Sequence, residues 1–139
     1  MNSNLKREII IENNSYPFHK ETKGEEYIKI NTRNESCIDN INLFLKIENN
    51  LIVDLYFDGE ACAISTSVTS IMIKTLIGKT LDEALVISEE FEKMINEQEY
   101  NKNILGELNV YDEIYKQPNR KNCALLPFKG LKQIIKKSD

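Results

Sequence analysis

Three cysteines and one aspartate are the residues of this chain whose types and spacing could do chemistry together: Cys37, Asp39, Cys62 and Cys123. The cysteines are odd in number, widely separated and free of any Cys-x-x-Cys pair, which argues against a disulfide framework. Three uses remain open: burial as small apolar residues, metal ligation, or thiol chemistry. An oxygen of Asp39 would complete a tetrahedral Cys₃Asp set, within the ligands that zinc accepts. In an extended chain a spacing of two sends the side chains of Cys37 and Asp39 the same way. The single histidine, His19, sits in Tyr16-Pro17-Phe18-His19-Lys20. It reads as a surface or packing histidine, because no orienting Ser, Asp or Asn pattern accompanies it as a Cys–His hydrolase requires. A phosphate-binding glycine loop and a dinucleotide fingerprint are both absent.

The elements that must carry these residues follow from hydrophobic period. Leu5, Ile9 and Ile10 predict a short helix from Leu5 to about Asn13, ended by Asn14, Ser15 and Pro17. Three strands follow: Tyr27-Ile28-Lys29-Ile30, then Ile41 to Ile47, then Leu51 to Phe57. Ile41, Leu43, Leu45 and Ile47 share one face, and the same alternation predicts one face for Leu51, Val53, Leu55 and Phe57. Asn49-Asn50 between them suits a tight turn, since Asn tolerates positive φ. After Gly59 the period changes to 3.6, with a stripe of Ile64, Val68, Ile71, Met72 and Leu76, and Gly78 as a stop. Thr80-Leu81-Asp82-Glu83 is a capping box opening a helix with Leu81, Ala84, Leu85, Ser88, Phe91 and Ile95 inward. The last helix is expected from about Cys123 to Lys136, striped by Leu125, Phe128, Leu131, Ile134 and Ile135, with Pro127 in its first turn. The expected fold is α+β: a three-stranded antiparallel sheet with helices packed on one face.

In this layout Cys37 lies just before the second strand, and Cys62 at a strand-to-helix junction. Cys123 is expected at the start of the last helix. Two thiols would then sit at helix N-termini, where the backbone dipoles favour the thiolate.

At 139 residues the chain is the size of one domain, 1–139, able to bury its own core. A net charge of −4 argues against a general nucleic-acid binder. No apolar run reaches the roughly 18–20 residues of a membrane span. The Met1-to-Glu8 segment lacks the apolar centre of a signal peptide, so the expected compartment is the cytoplasm.

Taken in order, several segments resemble the SufU/IscU/NifU-N group of iron–sulfur assembly proteins over nearly the whole chain. They are Cys37-Ile38-Asp39, Gly59-Glu60-Ala61-Cys62-Ala63-Ile64-Ser65, Gly78-Lys79-Thr80 and Arg120-Lys121-Asn122-Cys123. The SufU branch is the nearer. Cys62 and Cys123 lie 61 positions apart, the intervening insertion carries Leu105-Gly106-Glu107-Leu108, and Asn122 stands where IscU-like chains have histidine. Arg120 looks like the SufU arginine. The chain departs from the family at Ile38 and Ala61, both glycine in the pattern, and in the segment Tyr16 to Glu21, where an Asn-Pro-Arg-like motif is degraded.

The resemblance implies Zn²⁺ held by Cys37, Asp39, Cys62 and Cys123, and a SufS-type, pyridoxal-phosphate-dependent cysteine desulfurase as partner. Cys37 is then the expected sulfur acceptor, in a loop beside a weakly held Asp39. Arg120 would hold Asp39 or orient a ligand, unless it is a plain surface arginine. In that role the protein is a sulfurtransferase-like carrier supplying downstream iron–sulfur acceptor or scaffold proteins. The alternatives are a scaffold for a transient [2Fe–2S] cluster and a structural zinc-binding interaction domain; a site open to solvent favours transfer, a closed one favours structure.

Overall fold

A computed structural model of the chain describes residues 1–35 and 37–138. Helix α1 (Ser3–Ser15) is followed by strands β1 (Ile28–Arg33), β2 (Asn40–Glu48) and β3 (Leu51–Glu60). Helices α2 (Ala63–Leu76) and α3 (Leu81–Ile95) come next, then three short 3₁₀ turns between Lys102 and Lys116, then α4 (Pro118–Ser138). The strands form one antiparallel sheet in the order β1-β2-β3. Ile41, Leu43, Leu45, Leu55 and Phe57 turn its inner face toward Val68, Ile71 and Met72 of α2 and Leu131 and Ile135 of α4 in one apolar cluster. This is the α+β arrangement expected from the sequence. Among the described residues no helix is long and apolar enough to cross a membrane.

The predicted punctuation is present. Asn49 and Asn50 both have positive φ, 51° and 64°, and close a two-residue hairpin between β2 and β3. Thr80 and Glu83 form a reciprocal capping box at α3. Gly78, with φ of 90°, stands just past the end of α2.

Strand β3 departs from the simple alternation. Lys46 pairs with Asp54 and Ile47 with Ile52, so Val53 is an extra residue in a bulge. Leu51 and Val53 are exposed rather than inward, and Ile52 is buried with Leu55 and Phe57. Ile52 and Leu55 have opposite parity, so both can face the core only if one residue between them is skipped. Burying Ile52 is worth about 2 kcal/mol, more than the ~1 kcal/mol of a ladder hydrogen bond.

The last helix also begins earlier than expected. It starts at Pro118, leaving Cys123 in its second turn and Pro127 in its interior. Proline at the first helical position costs little because that N–H has no helical acceptor, and Pro118 takes that place. Helix α4 then lies close on the sheet at Gly130, where an added Cβ would meet Thr32 and Leu43 side-chain carbons at 3.1 Å.

Candidate metal centre

Two strand registers bring Asp39 to Cys62. Asn40 pairs with Arg33 on one side and with Glu60 on the other. Continuing one step places Asp39 beside Asn34 and beside Ala61, next to Cys62. The Asn34 amide accordingly donates to the Asp39 carbonyl at 3.1 Å. Gly59 makes this end of the sheet possible. Its φ is 112°, and a Cβ there would fall 2.1 Å from the Asn40 carbonyl oxygen.

Cys62 is the N-cap of α2, and its Sγ accepts from the Ser65 amide at 3.5 Å. Its own amide donates to Asp39 Oδ1 at 2.7 Å. Cys123 arrives from α4, anchored where Thr32 Oγ1 donates to the Leu126 carbonyl at 3.2 Å. The side-chain amide of Asn34 donates to Cys123 Sγ at 3.8 Å. Cys37 sits in the loop joining β1 to β2, with its amide donating to the Asn34 carbonyl at 3.1 Å. Together, one ligand atom each from Cys37, Asp39, Cys62 and Cys123 lie within 4.8 Å of one another.

Burial divides the four. Asp39 is 1% exposed and Cys123 2%, Cys62 is half-buried, and Cys37 is exposed. Beside Cys37 and Cys123 opens a cleft of about 420 Å³, lined also by Asn34, Pro118, Asn119, Arg120 and Asn122. Arg120 therefore stands next to the thiols. Among the described residues its side chain makes no ion pair with Asp39, or with any other carboxylate.

Asp39 is firmly held, against the weak hold expected. Burial alone would push its carboxyl up. The Cys62 amide, the Ser65 hydroxyl at 2.7 Å, and the Cys123 and Cys62 thiols outweigh burial and bring it below its ordinary value. The Cys123 thiol goes the other way: burial first, then the neighbouring Cys62 and Asp39, push it up to about 12. The expectation of two thiols at helix N-termini is corrected accordingly, since only Cys62 occupies one.

These residues fit a divalent cation. Asp39 is a buried carboxylate with no Lys or Arg paired to it among the described residues, and three thiols converge on it, so a cation there would meet an unpaired charge and three ionisable sulfurs. A Cys₃Asp set has the soft donors that zinc and iron–sulfur clusters prefer. Around tetrahedral zinc, donors sit roughly 3.5–3.8 Å apart. The four donors, within 4.8 Å of one another, therefore need to close by no more than about 1 Å to share an ion.

His19 is not part of this cluster. Its ring stacks between Phe18 and Tyr56, with centroids 3.9 and 4.2 Å away, and its Nδ1 lies 3.0 Å from the Leu55 carbonyl. It is the packing histidine expected. Sequence reasoning missed Ser65, whose hydroxyl reaches both Asp39 and the Cys123 carbonyl. The available signal was its place three residues after an N-cap cysteine, which turns it toward the helix start.

Known proteins resemble this chain in sequence and in fold. Residues 6–124 match the family described as NifU-like N terminal domain. The chain is 30% identical over 136 residues to the zinc-dependent sulfurtransferase SufU of Bacillus subtilis (strain 168), spanning 97% of this chain and 92% of that protein. It is 34% identical over 105 residues to the iron–sulfur cluster assembly scaffold protein IscU of Thermotoga maritima, spanning 76% and 74%. A crystal structure from thermophilic Fervidobacterium islandicum AW-1, of a protein put forward as an iron–sulfur cluster assembly scaffold for a SUF system, superposes with a TM-score of 0.87. It shares 32% identity and covers 90% of this chain and 92% of that one.

Proposed function

The chain belongs to the family of NifU-like N-terminal domains, and on that premise we propose that it is an iron–sulfur cluster assembly protein accepting persulfide sulfur on Cys37. The carrying observation is the convergence of three thiols and one carboxylate within 4.8 Å, with one thiol exposed beside an open cleft. A closed centre would suit a purely structural ion; an exposed donor suits transfer.

In this reading Cys37, Asp39, Cys62 and Cys123 hold one zinc ion. Bound zinc would keep the thiols deprotonated and shield them from oxidation. The partner is a pyridoxal-phosphate cysteine desulfurase carrying a cysteine persulfide. The Cys37 thiolate leaves its three neighbours and attacks the outer sulfur of that persulfide. A new S–S bond forms on Cys37, the partner's S–S bond breaks, and its cysteine departs as a thiolate. Asp39, Cys62 and Cys123 stay in place. Arg120, in the same cleft, orients the incoming persulfide by charge-assisted donation. The protein acts as one domain over 1–139 in the cytoplasm, and passes sulfur to iron–sulfur acceptor or scaffold proteins.

A second reading is a scaffold for a transient [2Fe–2S] cluster, favoured by the 34% identity to a relative named for scaffolding. The same three thiolates would serve. One experiment separates the two. Protein purified without added metal should hold about one zinc per chain. After mixing with desulfurase and cysteine, the Cys37 peptide should gain about 32 Da, one sulfur atom. Stoichiometric iron with little zinc would move the assignment to the scaffold. No metal, no persulfide and no desulfurase stimulation would defeat both.

A further inference from the structure

Ser65 occupies a position the transfer reading does not use. It is fully buried in the first turn of α2. Its Oγ lies 2.7 Å from Asp39 Oδ2, 2.9 Å from the Cys123 carbonyl and 3.7 Å from Cys62 Sγ. One hydroxyl thus touches three of the four donor residues, each from a different element.

The Cys123 carbonyl is open to Ser65 for a reason written in the chain. Its helical partner would be the N–H of the residue four positions on, which is Pro127 and has none. A proline inside α4 therefore frees a carbonyl, and the Ser65 hydroxyl meets it. That hydroxyl has one hydrogen for two acceptors, the carbonyl and the carboxylate. Asp39 Oδ1 is separately fixed by the Cys62 amide, so Ser65 governs the oxygen that remains.

We infer that Ser65 is a positioning residue of the metal centre. Its hydroxyl, shared between Asp39 Oδ2 and the Cys123 carbonyl, keeps the carboxylate aimed at the ion while Cys37 comes and goes. The inference rests on the reading that these four donors hold a metal. It explains how a site with a detachable ligand keeps its other three in register: Cys62 and Cys123 are carried by helices, and Asp39, on a loop, is tied to both by one side chain.

Two roles of the hydroxyl can be separated. Ser65→Ala removes the hydroxyl from both acceptors, leaving Asp39 Oδ2 only the weaker contact of the Cys62 thiol at 3.9 Å. Pro127→Ala returns an N–H to the Cys123 carbonyl but does nothing for Asp39. The test loads chelator-stripped proteins with Co²⁺ alone and measures zinc affinity by competition. Ser65→Ala should keep the thiolate-to-cobalt charge-transfer bands, because three thiolates remain. Its ligand-field bands should shift toward those of Asp39→Ala, and zinc affinity should fall about 10–100-fold, as for other residues that orient a ligand. Ser65→Ala/Pro127→Ala should recover the thermal stability of the metal-free protein without recovering the spectrum or the affinity. It also supplies a folded variant should Ser65→Ala alone not fold. On an Asp39→Ala background, Ser65→Ala should cause no further loss of affinity. Recovery of spectrum and affinity by Pro127→Ala would overturn the inference, reducing Ser65 to a partner of the helix carbonyl. So would a parent-like spectrum and affinity in Ser65→Ala. Failure of the parent chain itself to take up Co²⁺ would overturn the metal reading, and the inference with it.

Discussion

The amide of Cys62 donates to Oδ1 of Asp39 at 2.7 Å, so the donor that precedes one strand is fixed by the backbone of the donor that follows the next. Both sit one or two residues beyond the Asn40–Glu60 pair. The candidate metal centre is thus a property of strand register, and whatever disturbs that pairing should disturb the site.

Gly59→Ala tests this directly. The φ of 112° and a Cβ 2.1 Å from the Asn40 carbonyl make any side chain there strained. The expected cost is at least about 2–3 kcal/mol in denaturant unfolding. Metal retention against a chelator should fall as well, although Gly59 touches no donor. A variant that unfolds and holds zinc like the parent would show that the sheet end is looser than its register implies.

Chelation should leave the fold standing. The apolar cluster of Leu43, Leu45, Phe57, Ile71, Phe91 and Leu131 is complete without an ion, unlike the core of a zinc finger. Helical circular dichroism should persist after metal removal, while amide exchange quickens in the β1–β2 loop and at Cys62. Loss of the helix signal would make the metal a folding staple and favour the structural class of zinc domain.

Metal-stripped protein should alkylate in a fixed order. Cys37 is exposed, Cys62 half-buried and Cys123 buried. The thiolate is the reacting form, and the Cys123 thiol is pushed up to about 12. At about pH 8, peptide mapping should therefore find Cys37 labelled first and Cys123 last. Early labelling of Cys123 would mean that the start of α4 opens in solution.

Cys37→Ala should abolish stimulation of a cysteine desulfurase while binding to it survives, because an exposed loop side chain is removed without touching the core. Asp39→Ala should behave differently. It strips the Cys62 amide of its acceptor but leaves three thiolates, so zinc should stay bound in an open centre with turnover impaired. Full stimulation by Cys37→Ala, measured as sulfide or alanine release, would remove Cys37 as the acceptor.

Alkaline stability should depend on Tyr111. Burial pushes its hydroxyl far above the usual tyrosine value, only partly offset by its bond to Ser67 at 2.6 Å. Its folded value is raised, so its contribution is fully present below about pH 10, where the unfolded chain ionises, and is lost as pH rises beyond. Tyr111→Phe keeps the edge contact with Phe91, 6.2 Å between centroids, and removes the ionisable group. The variant should be less stable than the parent at pH 7 by about 1 kcal/mol, yet lose less stability between about pH 9 and 11. Parallel loss in both proteins would assign the alkaline transition to other groups.

By itself the sequence determined the kinds of element and the chemistry available to them. Alternating apolar residues, the Asn49-Asn50 turn, the Thr80–Glu83 box and Gly78 are local signals, and each acts within a few residues, so each was legible. The four candidate donors, which the fold brings together, were legible as candidates too, since three cysteines and a nearby carboxylate are a matter of composition and order. Tertiary structure decided the rest. Val53 bulges because Ile52 and Leu55 compete for one face, a conflict settled by the core and marked by no turn residue. Helix α4 starts at Pro118 because a proline fits a first turn better than an interior, yet Pro127 is tolerated where Ser65, 58 positions from Cys123, meets the freed carbonyl. Asp39 is firmly held for the same kind of reason: its hydrogen-bond donors lie 23 and 26 positions away. Contacts at that separation depend on register and helix placement, and no pattern along the chain encodes them locally.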